Sequence, residues 1–153
     1  MQFGIANLDD PGVGQLLEFH HKEMLAGSPP GTAYAFDLER LRSADISLFT
    51  ARGDSILLAV AALRSHKGFA EIKSMRAAPA AVGKGAGKGL LAFILNEARD
   101  AGYGMIKLET GISEVFEPAN GLYRAFGFAE CEPFGGYEDN GHNRFYELKL
   151  TAN

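Results

Sequence analysis

The chain has a single cysteine, no apolar stretch of membrane-spanning length, no internal repeat and no low-complexity tract. Each shortage excludes something. Cys131 has no partner for an internal disulfide, and a transmembrane helix needs about 20 consecutive apolar residues, which the sequence does not supply. Met1 is followed by no charged-then-apolar leader, so the expected location is the cytoplasm, with no membrane contact. Positive charge is also scarce: 15 Lys and Arg stand against 19 Asp and Glu, giving a net charge of −4 and a pI near 5.5. That balance gives no general attraction to nucleic acid, although basic residues do gather between Arg64 and Lys88. His20 and His21 have no further ligands at metal-binding spacing, so no metal is expected. The 153 residues, 46% hydrophobic and 22% charged, fit one domain spanning 1–153.

Glycine, by contrast, is concentrated where it matters. Val82-Gly83-Lys84-Gly85-Ala86-Gly87-Lys88-Gly89 carries four glycines in eight residues and runs into an apolar-periodic segment, Leu90 to Ala101. Without a Cβ the backbone takes positive φ and comes close to a ligand. Leu90, Leu91, Ile94, Leu95 and Ala98 share one helical face, so a glycine-rich turn opens a helix. The first N–H groups of a helix lack intrahelical partners and carry the positive end of its dipole, which suits a phosphate. Lys84 and Lys88 add charge. A P-loop is excluded by spacing, because Val82 stands where its first glycine belongs and Gly89 where its Ser or Thr belongs.

Local patterns place the other elements around this turn. Gln2 to Leu8 reads as a strand. Asp9-Asp10-Pro11 then offers a cap and an N-terminal proline for a helix whose apolar side is Val13, Leu16, Leu17, His20 and Met24. Gly27 to Gly31 stops it. Tyr34 and Phe36, in the loop that follows, suit either a substrate pocket or the core, and Asp37 caps a short helical piece, Leu38 to Arg42. Ile46 to Ala51 and Ser55 to Leu63 form a hairpin around Arg52-Gly53-Asp54, and Phe69 to Arg76 adds a further strand after the turn Ser65 to Gly68. Beyond the glycine turn, Met105 to Thr110 reads as a strand, which makes a βαβ crossover and a parallel pair. Pro118 opens a helix with Ala119, Leu122, Tyr123 and Phe126 on one stripe and Gly127 at its end. Phe128 to Glu132 and Phe145 to Leu150 close the chain around a polar loop, Pro133 to Asn143. The expected fold is α/β (α+β), with about seven strands in a mixed, mostly antiparallel sheet and about four flanking helices.

Three blocks in this order resemble the GNAT superfamily of acyl-CoA-dependent N-acetyltransferases. Val82 to Gly87 is similar to its coenzyme A pyrophosphate loop, Arg/Gln-x-x-Gly-x-Gly/Ala, with Val82 in place of the opening Arg or Gln. Phe69 to Arg76 precedes the loop as the family's central strand does, and Leu122-Tyr123-Arg124-Ala125-Phe126-Gly127-Phe128 is similar to its Leu-Tyr-x-x-x-Gly-Phe segment. Leu108 to Gly111 with Phe116 to Ala119 resembles a bacterial branch of small members. The resemblance implies that Gly83, Lys84, Gly85, Ala86, Gly87 and Lys88, with Val82, hold the diphosphate of acetyl-CoA. It also implies that the backbone at Met75, Arg76 and Ala77 meets the pantetheine, and that a homodimer is a common assembly.

The reaction so implied is direct attack by a small-molecule or protein amine on the acetyl-CoA thioester in a ternary complex. An alkylammonium has a pKa near 10 and must lose a proton before it attacks. Glu71, on the strand leading to the loop, is the candidate base, with Glu109 as the second and water alone as a further choice. Strand alternation puts Glu71, Lys73 and Met75 on one side unless a bulge intervenes. A thiol near pKa 8.5 leaves, and a tyrosine can protonate it, a role for Tyr123. Glu109, Thr110 and Phe116 are candidate acceptor-binding residues. A non-catalytic acyl-CoA-binding or regulatory module is the alternative.

Overall fold

In the computed structural model, the described residues are 1–30 and 38–151; Tyr34, Phe36 and Asp37 lie outside them. Seven strands form one sheet: β1 (Gln2–Ile5), β2 (Ile46–Gly53), β3 (Ile56–Ser65), β4 (Ala70–Ala77), β5 (Met105–Gly111), β6 (Ala129–Glu130) and β7 (Asn143–Lys149). Their order is β1-β2-β3-β4-β5-β7-β6. Every neighbouring pair is antiparallel except β4 and β5. Among the described residues, three α-helices flank the sheet: α1 (Pro11–Ala26), α2 (Ala86–Asp100) and α3 (Glu117–Ala125). The expected fourth, Leu38–Arg42, is a single 3-10 turn, too short to build an α-helical ladder.

The mixed topology follows from the connections. Short turns join β2, β3 and β4, whereas β4 reaches β5 through α2, and a crossover of that length permits a parallel pair. Alternation along β3 then separates two cores. Val60 and Ala62 face α1 with Leu16, Leu17 and Leu48. Ala59, Ala61 and Leu63 face α2 with Leu90, Leu91, Ile94 and Tyr123 of α3. Helix α1 therefore covers one face, and α2 and α3 the other.

Several boundaries differ from the sequence reading for physical reasons. The β2–β3 turn falls on Asp54-Ser55, both at positive φ (50° and 67°), so Arg52 and Gly53 stay in the strand. Strand β1 ends at Ile5, and β6 keeps two residues against the expected five from Phe128 to Glu132. Helix α2 begins at Ala86, earlier than the apolar repeat at Leu90 announces, because glycines occupy two positions of its first turn. Gly89 is there for packing. A Cβ on it would lie 2.7 Å from the ring of Phe3.

The main irregularity is in β4. Arg76 pairs with Val60 and Lys73 with Ala62, so Ser74 and Met75 together oppose Ala61. Ser74 takes φ 57°, the left-handed region, at this bulge. Pairing of β4 with β5 stops at Ile72 and Leu108. From there the two strands diverge, and the sheet opens into a wedge between residues 73–77 and 109–111.

Candidate active site

A cavity of about 540 Å³ occupies the wedge and passes from the α1 face of the sheet to the face of α2 and α3. Its two ends are chemically unlike. On the α2 side lie Val82, Gly83, Gly85, Ala86, Gly87 and Lys88, with Leu122 and Tyr123 of α3. Gly83 and Gly85 hold φ 82° and 83°, and a Cβ on either would meet no atom within 4 Å, so conformation and not crowding requires glycine there. Gly85 is the N-cap of α2 and provides no side-chain cap. The leading N–H groups of α2 thus open toward the cavity, a fit for an anionic group. Lys84 is exposed and does not line the cavity, and its N–H donates to the Ala81 carbonyl at 3.1 Å.

On the other side, Glu71 is buried, 1% exposed, with three neighbours. His66 Nε2 stands 2.8 Å from Oε1, and the Tyr137 hydroxyl donates to Oε2 at 2.6 Å. Lys73 Nζ donates to the Tyr137 oxygen at 3.0 Å and lies 3.9 Å from Glu71. Lys73 is thus a secondary partner of Glu71. Burial and the adjoining Glu71 push the Tyr137 hydroxyl well above its ordinary range, so it remains a donor. In the parallel register Glu71 faces Lys107, and alternation puts Glu109 on that same side, beyond the last paired residue. Burial raises the Glu109 pKa, opposed by the 3.1 Å hydrogen bond from Asn143 Nδ2 and reinforced by Glu71. Two carboxylates therefore flank one end of the wedge.

Met75 is not on their side. The bulge at Ser74 reverses the alternation, so Met75 and Ala77 pack with the α2 core. Arg76 turns the other way, toward α1, where its Nε donates to His20 Nδ1 at 2.9 Å and its guanidinium lies over the Phe19 ring. His20 is buried, and desolvation followed by the charge of Arg76 lowers its pKa to about 3. It is a neutral acceptor. Tyr123 has its pKa raised to about 12 by burial, partly countered by Arg76, so its hydroxyl keeps its proton. Thr110 and Phe116 also line the cavity, and Phe116 fills the space that a Cβ on Gly111 would take, at 2.3 Å.

Residues 14–128 match the sequence profile of the acetyltransferase (GNAT) family. The chain belongs to that family. It is 37% identical over 151 residues to YsnE of Bacillus subtilis, an uncharacterized N-acetyltransferase, covering 98% of this chain and all of the relative. Among solved structures, an acyl-CoA N-acyltransferase assignment from Klebsiella pneumoniae superposes with a TM-score of 0.83 at 22% identity, covering 98% and 97% of the two chains. YncA of Salmonella typhimurium, solved with its cofactor acetyl-CoA, gives a TM-score of 0.70 at 18% identity, covering 99% and 95%. These likenesses show the GNAT fold. The protein is an acyltransferase of a family that uses acetyl-CoA.

Sequence reasoning missed three residues that line or brace the cavity. Tyr137 sits in the polar loop before β7, and His66 in a hairpin turn; each meets Glu71 only through the fold. Asn120 is fully buried in α3, donating to the Gly111 and Phe116 carbonyls and accepting from Tyr146 and Arg144. It ties the start of α3 to the end of β5. An aromatic placed directly after the Gly135-Gly136 pair was the one available signal for Tyr137.

Proposed function

We propose that the chain, acting as one domain in the cytoplasm, transfers the acetyl group of acetyl-CoA to an amine by direct attack in a ternary complex. The observation that supports this most is the wedge itself: a cavity crossing the sheet, with carboxylates at one end and a tyrosine and an uncapped helix start at the other. The α2 N-terminus and Lys88 hold the diphosphate, and the β4 backbone at residues 75–77, paired with β3 but not with β5, meets the pantetheine amides. Val82 takes the place of an Arg or Gln side chain, so backbone N–H groups do most of the holding. Bound there, the coenzyme supplies an activated acyl thioester.

Glu71 takes the proton from the acceptor ammonium, directly or through one water. The freed amine lone pair forms the C–N bond at the thioester carbonyl as the C–S bond breaks. Tyr123, kept protonated by its burial, donates to the departing sulfur. The proton count closes: of the two protons the ammonium loses, one passes to Glu71, and the other leaves the nitrogen after the C–N bond forms and replaces the proton Tyr123 gave to the thiolate. An N–H of the β4 bulge near Met75 offsets the negative charge developing on the carbonyl oxygen.

Thiol release with a panel of amines, alongside calorimetric titration with acetyl-CoA, tests this. Glu71→Gln should lower kcat about a hundredfold or more and Tyr123→Phe about tenfold or more, both with coenzyme affinity nearly unchanged. A loss confined to Glu109→Gln would move the base to Glu109. Full turnover in both Glu71→Gln and Tyr123→Phe would refute the assignment, and coenzyme binding without turnover of any amine would favour a non-catalytic acyl-CoA-binding module.

A further inference from the structure

Arg76 is a half-buried cation with an unusual set of partners. Its one hydrogen bond is to neutral His20, its flat face lies over Phe19, and Glu23 acts on it only from beyond ion-pair distance. Among the described residues no carboxylate stands within ion-pair reach of it. Desolvating a guanidinium without a counter-charge is costly, and burial indeed works against its charged form. The hydrogen bond to His20 engages Nε, which orients the planar fork and leaves its terminal nitrogens for another acceptor. Such a fork suits an oxyanion in bidentate fashion.

The coenzyme diphosphate is not the natural candidate. The bulge turns Arg76 to the α1 face, the side of Glu71, whereas the glycine turn and Lys88 lie across the sheet with α2. Glu71 pairs with Arg64 and Arg76 with Val60, four residues apart on β3, which puts the two Cα atoms on the order of 13 Å apart on one face of the sheet. That end of the cavity therefore presents carboxylates for an ammonium and an uncompensated guanidinium for something negative.

We infer that the acceptor is a small amine that also carries a carboxylate or similar oxyanion, which Arg76 grips while the amine is delivered to Glu71. This inference rests on the transferase reading. Arg76 is in this view a specificity-determining residue, and the amino-carboxylates are the substrate class.

The test pairs acceptors that differ only in the anion: L-phenylalanine, L-methionine, L-glutamate and 4-aminobutanoate, each against its carboxamide, with acetyl-CoA and the full-length protein. The expected result is that at least one free carboxylate is preferred by about 10- to 100-fold in kcat/KM. Arg76→Leu should abolish that preference through KM, with kcat little changed, and Arg76→Lys should restore part of it. A purely structural role would instead lower kcat and KM performance on both members of each pair alike. If no pair is acetylated, calorimetry of the same pairs in the presence of coenzyme A reads the preference as affinity. Absence of any carboxylate-dependent binding or turnover, an unaltered preference in Arg76→Leu, or a loss of coenzyme affinity in that variant each overturns the inference. Intact acetyl-CoA binding and turnover of uncharged amines would leave the transferase reading standing without it.

Discussion

Helices α1 and α2 lie against opposite faces of one sheet, yet α1 begins under a side-chain cap and α2 begins under none. Asp10 caps α1 by accepting the Gly12 N–H at 2.9 Å, Pro11 presets its first turn, and Arg52 pairs with the same carboxylate. Gly85 precedes α2 in the left-handed region with no side-chain hydrogen bond to offer. The same backbone requirement, partners for the leading N–H groups, is met within the protein at α1 and left for a ligand at α2. Helix α1 is built to stay folded on its own terms. Helix α2 forgoes a cap at the point where the proposed site holds an anion, and its stability comes from the apolar stripe beneath, Leu90, Leu91, Ile94 and Ala98, all fully buried.

The sharpest way to break this contrast is to supply α2 with the carboxylate it lacks. At Gly87 a Cβ would meet only Leu122 at 4.0 Å, so Gly87→Asp fits sterically and favours the helix dipole. It should leave the melting temperature unchanged or slightly raised while weakening acetyl-CoA binding about a hundredfold or more, read by calorimetry. Equal loss of folding and binding would show that the glycine is structural. A smaller effect is expected at Gly83, where alanine must adopt φ near 82° at a cost of about 1–2 kcal/mol. Gly83→Ala should reduce coenzyme affinity about tenfold and lower the melting temperature by a few degrees, since the strain is carried by the folded state.

The smallest effect on binding belongs to α1. Asp10→Ala should lower the melting temperature by a few degrees and leave coenzyme affinity unchanged. The sign of its pH dependence follows from the cap. The Gly12 N–H first, and then Arg52, lower the Asp10 pKa below its ordinary 3.8 in the folded protein. Its contribution is therefore complete above that ordinary value and is lost as pH falls through the lower, folded one. Melting curves of wild type and Asp10→Ala should converge in that acid range, and a constant gap would mean that the carboxylate is not the cap.

The same contrast explains what could be read from the sequence. Capping and glycine signals are local, so the start of α1 at Asp10-Pro11, the loop from Val82, the βαβ crossover and the helix carrying Tyr123 were all legible. Strand parity put Glu71 and Lys73 on one side, whereas the presence of Glu109 on that side depends on the register between β4 and β5. Contacts made by the fold were not legible. Tyr137 reaches Glu71 across 66 residues, and Arg76 reaches His20 across 56. Met75 was assigned to the wrong face because one extra residue at Ser74 inverts everything after it in β4, and no local feature of Lys73-Ser74-Met75 announces a bulge. Asn120 likewise reads as an ordinary polar position in a short helix, although it anchors four partners.

Strand β7 enters the sheet between β5 and β6, although it is the last strand in the chain. All seven residues of β5 pair with it, from Met105 with Lys149 to Gly111 with Asn143. Until it arrives, β5 has only its three pairs with β4 and presents a bare edge along its whole length. A ribosome would thus have to finish about nine-tenths of the chain before that edge is covered, which makes sheet closure a late, long-range event of the kind that slows folding and invites edge-to-edge association. Asn143, the partner of Glu109, arrives with the same strand. The protein therefore completes the surroundings of Glu109 and covers the β5 edge in a single step.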